Sequence, residues 1–576
     1  MRKSRIIVAL AAAALAVPAF AVSSAGAASQ GAQSSEGAET SYVVLAKNGG
    51  SAEALAKQLS AAGATVTSVN QAIGLVTVTS RDTAFTSHAR GLGVAGVGRD
   101  RSIGYSPKAL TPNKAVEKEA HLARGKATAS SNGHAYGKSK GKSNKPADPL
   151  DSLLWGMDMI NAPEAHAIER GDHRVTVGIL DTGVDGNHPD LHSNFSKKLS
   201  RNFTTDMPDI DGPCEFAGCV DPANWDDNGH GTHTAGTVGA ALNGMGLSGV
   251  APGITLVNIR GAQDSGYFFL GPVTTALTYA GDVGLDVVNM SFYLDPWLYN
   301  CAGGAPEDSA AAAADQAVII EAMNRALNYA HGHNVTLVNS AGNSHDDMAN
   351  PRHDFSSPDY GADPYERTIS NATCVNLPAE GPHVLGISSL GPSGKKSDFS
   401  NYTTDLTSGE VDFSAPGGWF RDGFGTPSYR TNENQILSTA PTHVLQAEGL
   451  VDADGNITED GEALGIKKDC NDEGVCGFYQ YLQGTSMASP HAAGVAALAV
   501  SAHGSKDSAH RGLTMEPNAV AALMAATAID HACPAGGVQS YTQEGRSAEF
   551  TATCVGTPEY NGFYGAGIVN ALGVVQ

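Results

Sequence analysis

The chain has 576 residues, 41% of them hydrophobic, so it can bury a large core and hold more than one domain. Its formal net charge is −23 at pH 7, with about +10 on residues 1–149 and about −33 on residues 150–576. An acidic main body argues against nucleic-acid binding, which needs a clustered basic face. The opposite charges predict attraction between the two parts.

Residues 1–27 have the pattern of a secretory signal peptide. Arg2, Lys3 and Arg5 precede an apolar stretch, 6–19, that is too short for a comfortable membrane span, and small residues suited to cleavage follow. No later segment reaches 18 uninterrupted apolar residues. We therefore expect a secreted, soluble protein that does not act at a membrane.

Eight cysteines, all after residue 200, suggest disulfide bonds in an exported chain. Close spacing favours Cys214–Cys219, Cys470–Cys476 and Cys533–Cys554, which leaves Cys301–Cys374 by elimination. This set is one of about 105 possible pairings. A zinc site is the weaker alternative, because no CxxC or matched Cys/His spacing occurs.

Residues 28–106 are predicted to form a small α+β domain that begins with a polar arm. Its elements follow the order βαββαβ, with bounds at 42–45, 52–62, 64–69, 74–78, 83–90 and 94–103. Residues 107–149 are rich in Lys, Ser, Asn and Gly and nearly lack large apolar residues. They indicate a basic flexible linker that is open to proteolytic cleavage.

From residue 150 to residue 576, apolar runs alternate with helical stretches. Strands are predicted at 175–180, 250–259, 287–292, 335–340 and 384–388, and helices at 230–242, 274–281, 315–331 and 488–500. This alternation indicates an α/β domain whose mostly parallel sheet is covered on both faces. Sites form beyond the carboxyl ends of strands in such sheets, where Asp181, Ser291 and Asn343 stand.

Ser486 stands just before the last predicted helix. Pro490 is tolerated only near a helix start, so the helix should begin close behind Ser486. There the hydroxyl would lie beside unpaired N–H groups that stabilise a developing negative charge. Taken alone, such a serine is most simply a helix cap.

Two further motifs give Ser486 possible partners. Asp181-Thr182-Gly183 follows the first strand of the main body, and His230-Gly231-Thr232-His233 opens a helix. Alone, Asp181 could be a turn residue, and the two histidines could form a weak metal pair. In the chain order Asp, His, Ser, however, the three residues match one known arrangement of a serine-protease triad.

Together with Gly484-Thr485-Ser486-Met487-Ala488, these motifs make the chain resemble the subtilisin-like serine peptidases, or subtilases, from about Trp155 to Asn570. The resemblance implies a three-layer domain with a mostly parallel central sheet over residues 150–576. It also implies that the βαββαβ unit is a propeptide, which assists folding and inhibits the peptidase. Attraction between a basic N-terminal part and an acidic body would suit that role.

The resemblance implies a role for each site residue. Ser486 would be the nucleophile, His230 the general base and then acid, and Asp181 the group that orients the imidazole. Asn343 would donate to the oxyanion together with the Ser486 N–H. Substrate would bind along four further positions: Ser291, Ser340, Ala341 and Gly342.

The chain departs from the family beside the expected substrate cleft. The family's Ser-Leu-Gly strand end reads SFYLDPW over 291–297, whose bulk would narrow the pocket or give it aromatic walls. Asn376 aligns with the pocket floor, so the pocket need not be purely apolar. Two long insertions, 344–373 and 419–480, would surround the cleft, where they either restrict access or only decorate the surface.

We therefore expect a secreted, monomeric serine endopeptidase that is made as a self-processing zymogen and acts on proteins or peptides. The alternatives are a narrow processing peptidase, for example for a leader peptide, and a catalytically inactive binding module. Catalysis would need no cofactor. Asp190 and Asn243 match calcium-binding positions of some relatives, and the acidic stretch 206–227 is either a second calcium site or a solvated face.

Overall fold

The computed structural model describes residues 38–100, 147–351, 353–358 and 364–576. The predicted signal peptide, the residues up to 37, residues 101–106 of the predicted propeptide and the predicted linker up to residue 146 lie outside these ranges. Within the described ranges, no helix combines the length and the apolar character needed to cross a membrane.

The N-terminal unit has the predicted element order. Its elements are β1 (Thr40–Leu45), α1 (Ala52–Ala61), β2 (Thr65–Asn70), β3 (Leu75–Ser80), α2 (Phe85–Gly91) and β4 (Gly96–Arg99). The four strands form an antiparallel sheet in the order β2-β3-β1-β4. Ser51 caps α1 by accepting a hydrogen bond from the N–H of Ala54.

Alternation along β1 gives this sheet two apolar faces. Tyr42 and Val44 pack against the unit's own helices, whereas Val43 and Leu45 point the other way into the core of the main body. The N-terminal unit therefore packs against the main body through one whole face of its sheet.

The main body contains the remaining strands. They are β5 (Thr176–Leu180), β6 (Arg201–Asn202), β7 (Thr255–Arg260), β8 (Val287–Met290), β9 (Asn300–Cys301), β10 (Thr336–Ser340), β11 (His353–Asp354), β12 (Arg367–Thr368), β13 (Cys374–Val375), β14 (Val384–Leu390), β15 (Phe413–Pro416), β16 (Ile436–Ala440), β17 (Lys467–Cys470), β18 (Cys476–Leu482), β19 (Ser505–Lys506), β20 (Leu513–Thr514), β21 (Val538–Gln539) and β22 (Ala552–Thr553).

The helices of the main body lie before, between and after these strands. They are α3 (Trp155–Met159), α4 (Ala162–Ala165), α5 (Pro208–Asp211), α6 (His230–Gly239), α7 (Leu270–Val283), α8 (Ala310–Gly332), α9 (Thr442–Ala447), α10 (Glu459–Ala463), α11 (Thr485–His503), α12 (Pro517–Thr527) and α13 (Ala571–Val574).

A seven-stranded parallel sheet forms the middle layer, in the order β15-β14-β10-β8-β5-β7-β6. Its strands are rich in Val, Ile and Leu because both faces are buried. Val177 and Val287 face α6 and α11, whereas Val288 and Leu337 face α7 and α8. The predicted three-layer α/β architecture is confirmed.

Helix α11 crosses one face of this sheet and is apolar nearly all round, as a fully buried helix should be. It is longer than predicted at both ends. Gly484 occupies the cap position and Ser486 is the second residue of the helix, so Ser486 lies inside the first turn rather than before it. Pro490 is the sixth residue of the helix and so lies inside it, where its missing N–H removes one helix hydrogen bond.

All four predicted disulfide bonds are present: Cys214–Cys219, Cys301–Cys374, Cys470–Cys476 and Cys533–Cys554. Cys301–Cys374 joins β9 to β13, and Cys470–Cys476 closes the hairpin of β17 and β18. Much of the predicted insertion 419–480 folds into that hairpin, α9 and α10, around an apolar cluster that includes Leu445 and Phe478.

Candidate active site

The carboxyl ends of three neighbouring strands meet at one edge of the parallel sheet. Asp181 directly follows β5, Ser291 directly follows β8, and Asn343 comes three residues after β10. Helices α6 and α11 begin at the same edge, with His230 and Ser486 in their first turns. Residues far apart in sequence therefore converge on one place.

Asp181 and His230 form a buried hydrogen-bonded pair. His230 Nδ1 lies 2.8 Å from Asp181 Oδ1, and both side chains are fully buried. The close approach of helix α6 to the segment after β5 requires glycine at position 231, since a Cβ there would come within 2.1 Å of the Gly183 carbonyl oxygen. With Nδ1 engaged, the ring presents Nε2, which has no hydrogen-bond partner among the described residues.

The Ser486 hydroxyl points to a backbone carbonyl in this structure. Its Oγ donates to the carbonyl oxygen of Ser291 at 3.1 Å rather than to His230. Nucleophilic attack would require the hydroxyl to turn toward Nε2 of His230. Catalytic hydrogen bonds are often absent without substrate and form in the reacting complex.

Asn343 has a fixed amide orientation. Its Oδ1 accepts hydrogen bonds from the N–H and the hydroxyl of Thr485, at 2.8 and 2.7 Å. The hydrogen-bonding network thus assigns Oδ1 to Thr485 and leaves Nδ2 to donate toward the pocket. Thr485 Oγ1 also accepts from the N–H of Gly342 at 3.1 Å, which ties the helix start to the turn after β10.

Asn401 holds that turn in place. Its Nδ2 donates to the carbonyl of Ala341 at 2.9 Å, and its Oδ1 accepts from the N–H groups of Ser344 and Asp346. Gly342 has φ of 101°, and a Cβ there would lie 2.6 Å from Asn401 Nδ2. No local pattern marks Asn401, because its partners lie more than 50 residues away in sequence.

Asp226 organises the loop that leads to His230. Burial raises the pKa of this carboxyl, but hydrogen bonds from Thr232, Gly229 and Thr182 outweigh the burial and lower it below the ordinary value. The hydroxyl of Thr182, beside Asp181, also accepts from the N–H of Gly231. Sequence analysis placed Asp226 in an acidic stretch and missed this role, although its position close before His230 was a signal.

A pocket with about 320 Å³ of empty space, partly open to solvent, lies beside Ser486 and Asn343. Its lining includes three of the predicted substrate-binding residues, whereas Ala341 is buried and does not line it. The walls combine apolar and polar side chains. The remaining lining residues are Phe292, Tyr293, Leu298, Ser344, Asn376 and Thr485.

His233 and His491 lie in the core near the site. His233 Nε2 is 3.1 Å from the carbonyl oxygens of Ile436 and Gln480, and burial, with His230 nearby, lowers its pKa to about 3. His491 Nδ1 is 2.8 Å from the carbonyl of Met487, and burial lowers its pKa to about 4. Such rings stay neutral and support the fold.

The oxygens of Asp190, at the first predicted calcium position, are engaged by hydrogen-bond donors. Asp190 accepts from Asn243 Nδ2, the Leu247 N–H and the Tyr479 hydroxyl. Asn243 Oδ1 accepts from the N–H of Met245. These residues therefore do not fit a calcium ion in this arrangement, because donors occupy the oxygens that a hard cation would need.

The second predicted calcium position is organised around an arginine. Arg260 is fully buried and forms ion pairs with Asp206, Asp221 and Asp264. The three carboxylates lie within 4.8 Å of one another, a spacing that suits a cation, and the guanidinium supplies the positive charge. Calcium binding by this stretch stays a prediction.

One side of the pocket is supported by buried Arg367. Its guanidinium donates to the carboxylates of Asp308 and Asp354, to Gln316 and to the carbonyl of Tyr299. These partners come from the segments around β9, β11 and the start of α8. A buried arginine with this many acceptors joins the segments firmly, since losing one acceptor would leave buried N–H groups of the guanidinium without a hydrogen bond.

The predicted insertion 419–480 reaches the loop before His230 through His443. The imidazole stacks on Trp225 at 4.2 Å between ring centres, and its Nε2 lies 2.9 Å from the carbonyl of Asp226 and 3.2 Å from Asp227 Oδ1. Burial favours a lower pKa, but the hydrogen bond and charge of Asp227, with Asp185 and Asp226, raise it above the ordinary value.

Residues 172–567 match a family model described as the subtilase family. This span is about two thirds of the chain and contains every element of the site. The chain belongs to the subtilase family. As a subtilase, the protein is a serine-type peptidase that acts on protein or peptide substrates, and the predicted resemblance is confirmed.

The chain is also similar in sequence to individual subtilases. Thermitase from Thermoactinomyces vulgaris is 28% identical over 312 residues, which are 54% of this chain and 86% of thermitase. Subtilisin BL from Lederbergia lenta is 26% identical over 300 residues, which are 52% of this chain and 84% of that protein.

One solved protease structure matches nearly the whole chain. The epidermin leader peptide processing serine protease from Staphylococcus aureus matches with a TM-score of 0.57 at 19% identity, covering 93% of this chain and 98% of its own. At this identity the likeness concerns the fold alone.

Proposed function

We propose that this subtilase is a secreted endopeptidase that hydrolyses peptide bonds through Asp181, His230 and Ser486. The observation that carries the proposal is the buried Asp181–His230 pair, whose Nε2 has no partner among the described residues, at the same edge of the sheet as the pocket lined by Ser486 and Asn343. A carboxylate, an imidazole, a hydroxyl and an amide donor at one edge of the sheet are the groups that acyl transfer to serine requires.

The first half of the reaction would form an acyl-enzyme. Ser486 Oγ attacks the peptide carbonyl carbon while His230 Nε2 takes the hydroxyl proton. Asp181 keeps Nδ1–H in place and stabilises the imidazolium. The C–N bond then breaks as His230 gives its proton to the leaving amine, and Ser486 remains as an ester.

The second half would regenerate the enzyme. Water attacks the ester carbonyl while His230 takes a proton from the water, and the proton then passes to Ser486 Oγ as the ester bond breaks. In both halves the oxyanion would accept hydrogen bonds from Asn343 Nδ2 and from the N–H of Ser486. No step requires a cofactor.

The N-terminal unit, within the predicted propeptide 28–106, would inhibit the peptidase until it is cleaved off. Arg325 on α8 donates to the carbonyls of Ala46 and Ile73, and Asn70 donates to the Thr278 hydroxyl on α7. Arg99 lies 3.7 Å from Asp315. The apolar sheet face and these contacts with α7 and α8 support a tightly held zymogen.

A narrow specificity for one kind of peptide, such as a leader peptide, is the second candidate. It is favoured by the two predicted insertions, one held to the body by Arg367 and the other by His443. The epidermin leader peptide processing protease shares the fold over 93% of this chain. Digestion of unfolded casein beside a panel of defined peptides separates the candidates, because a narrow enzyme would leave casein intact.

Replacement of the nucleophile tests the proposed reaction. We expect Ser486→Ala to abolish peptide cleavage, fluorophosphonate labelling and removal of the N-terminal unit. Ser501→Ala is a matched control in the same helix, because its hydroxyl has no hydrogen-bond partner among the described residues. Processing that continues unchanged in purified Ser486→Ala would remove self-cleavage from the proposal, and unchanged peptide cleavage would remove Ser486 as the nucleophile.

A further inference from the structure

Pro490 leaves a gap in the hydrogen bonds of helix α11. In a regular α-helix the N–H of residue 490 would donate to the carbonyl of Ser486, but proline has no N–H. That carbonyl instead accepts a hydrogen bond from Ser291 Oγ at 3.0 Å. The backbone of Ser486 is thus held by a side chain from the end of strand β8, outside its own helix.

Asn289 lies behind Ser291 and orients its hydroxyl. Asn289 Nδ2 donates to Ser291 Oγ at 3.1 Å, and Asn289 Oδ1 accepts from Ser489 Oγ at 2.7 Å. Because the amide supplies the proton that Ser291 Oγ accepts, the hydroxyl's own proton is directed to the Ser486 carbonyl. The amide therefore links strand β8 to the first turns of α11 at two points.

This amide occupies an otherwise apolar face of the sheet. Alternation along β8 places Asn289 on the same side as Val287, which packs with Val177 and Val338 against α11. Asn289 is fully buried. Burying an amide costs free energy unless its polar atoms are hydrogen-bonded. The hydrogen bonds of Asn289 to Ser291 and Ser489 offset this cost.

We propose that Asn289 is a positioning residue for Ser486. Through Ser291 it replaces the helix bond that Pro490 removes, and it keeps the Oγ and N–H of Ser486 in place beside Asn343. This inference rests on the proposed function of Ser486. A network that only stabilised the core would affect melting but not the reactivity of Ser486.

Restoring the missing helix bond provides a specific test. In Pro490→Ala the new N–H can donate to the Ser486 carbonyl, so the hydroxyl of Ser291 becomes redundant. Ser291→Ala and Asn289→Asp are each made alone and in the Pro490→Ala background. Asn289→Asp keeps the acceptor for Ser489 but loses the donor to Ser291. Ser291→Ala introduces no buried charge and covers the case in which Asn289→Asp fails to fold.

Ser388→Ala is the matched control. Ser388 is a fully buried serine on strand β14 of the same sheet, and its hydroxyl donates to the carbonyl of Phe563 at 2.6 Å instead of to α11. The second-order rate of fluorophosphonate labelling and the melting temperature are measured for the full chain of each variant. Ser486→Ala, which must remain unlabelled, reports separately on the proposed function.

We expect Ser291→Ala and Asn289→Asp each to slow labelling about ten-fold, the effect of losing one buried hydrogen bond on a rate. In the Pro490→Ala background, the effect of Ser291→Ala should fall below about three-fold. The inference is overturned if Ser291→Ala and Ser388→Ala have the same labelling rate and the same melting temperature. It is also overturned if Pro490→Ala leaves the effect of Ser291→Ala unchanged. Labelling of Ser486→Ala would instead reject the nucleophile.

Discussion

Asn343 owes its orientation to Thr485, whose N–H and hydroxyl both bond to Oδ1. The amide can therefore donate to an oxyanion without first turning, which makes it a preorganised donor. Preorganisation matters because an interaction formed only in the transition state accelerates turnover rather than substrate binding.

We expect Asn343→Ala to lower kcat strongly and to change KM little. Removal of the corresponding donor in a subtilisin lowers kcat about 10²–10³-fold, and we expect a loss of that order here. Steady-state kinetics on a peptide substrate measures the effect. A rise in KM with kcat unchanged would contradict the proposed role, because it would place Asn343 in ground-state binding.

Thr485→Val tests whether the orientation itself matters. Valine keeps the shape of the side chain and the N–H that bonds to Asn343 but removes the hydroxyl. We expect a smaller loss in kcat than for Asn343→Ala, about ten-fold for one hydrogen bond. The same peptide assay measures it, and a loss equal to that of Asn343→Ala would point to a wider disturbance of the helix start.

The sequence predicts the groups that are proposed to react at this site but not the groups that hold them. Ser486, His230 and Asp181 stand in short motifs that a single pass along the chain detects. Asn401 and Asn289 act across long sequence distances and have no motif of their own. Their roles follow only from the packing of strands and helices that brings their partners together.

At the scale of secondary-structure elements, His443 connects helix α9 to the loop that carries His230. Its folded pKa is raised above the ordinary value of 6.5. The charged ring therefore contributes stability that is complete below about pH 6.5 and is lost as the pH rises through the higher folded pKa. At the lower pH the imidazolium holds Asp227 and the predicted insertion against the body.

We expect His443→Gln to melt earlier than wild type at pH 5.5 and to approach wild type as the pH rises past the raised pKa. Glutamine retains a hydrogen-bonding group but cannot carry the charge. Calorimetric melting of both proteins between pH 5 and pH 9 measures the difference. A constant difference across this range would show that the charge of His443 contributes nothing.

The disulfides should differ in what they contribute. Cys301–Cys374 closes a loop of 73 residues, and Cys470–Cys476 a loop of 6. Loop-closure entropy assigns them about 4 and about 2 kcal/mol respectively. We expect the Cys301→Ala/Cys374→Ala double variant to melt at a lower temperature than Cys470→Ala/Cys476→Ala. Calorimetry on both variants measures the two melting temperatures. A lower melting temperature for Cys470→Ala/Cys476→Ala would mean that loop length does not determine how much each disulfide stabilises the protein.

The sequence predicts long elements well and short ones poorly. Five strands of the parallel sheet (β5, β7, β8, β10 and β14) and helices α6, α7 and α8 lie where hydrophobic periodicity placed them, with ends displaced by a few residues. The edge strands β6 and β15 of the same sheet were not predicted. Strands β9, β11, β12 and β13 have two residues each, too few to show any alternation. Only tertiary contacts, such as the disulfide of β9 with β13, define them.

At the scale of the whole molecule, the N-terminal unit and the body share one apolar interface. Gly96 on β4 lies against helix α8, where a Cβ would come within 2.7 Å of Val318 Cγ2. Gly98, two residues on, faces the backbone of Asp315. Glycine at these positions lets the strand approach the helix closely.

We expect Gly96→Ala to weaken the hold of the N-terminal unit, because the added methyl group would push β4 away from α8. Limited proteolysis should release the unit faster than in wild type. Gly91→Ala is a suitable control, since a Cβ there meets no atom within 4 Å. Equal release from Gly96→Ala and wild type would show that this contact does not govern association.

Arg367 limits which segments of this chain can be exchanged with those of another subtilase. Its acceptors come from the segments around Tyr299, Asp308 and Asp354, so replacing any one of these segments alone would leave buried N–H groups of the guanidinium without an acceptor. Grafting one of these segments onto another subtilase should fail, whereas transferring all of them together with Arg367 should succeed. These segments and Arg367 therefore form one structural unit, which has to be exchanged as a whole.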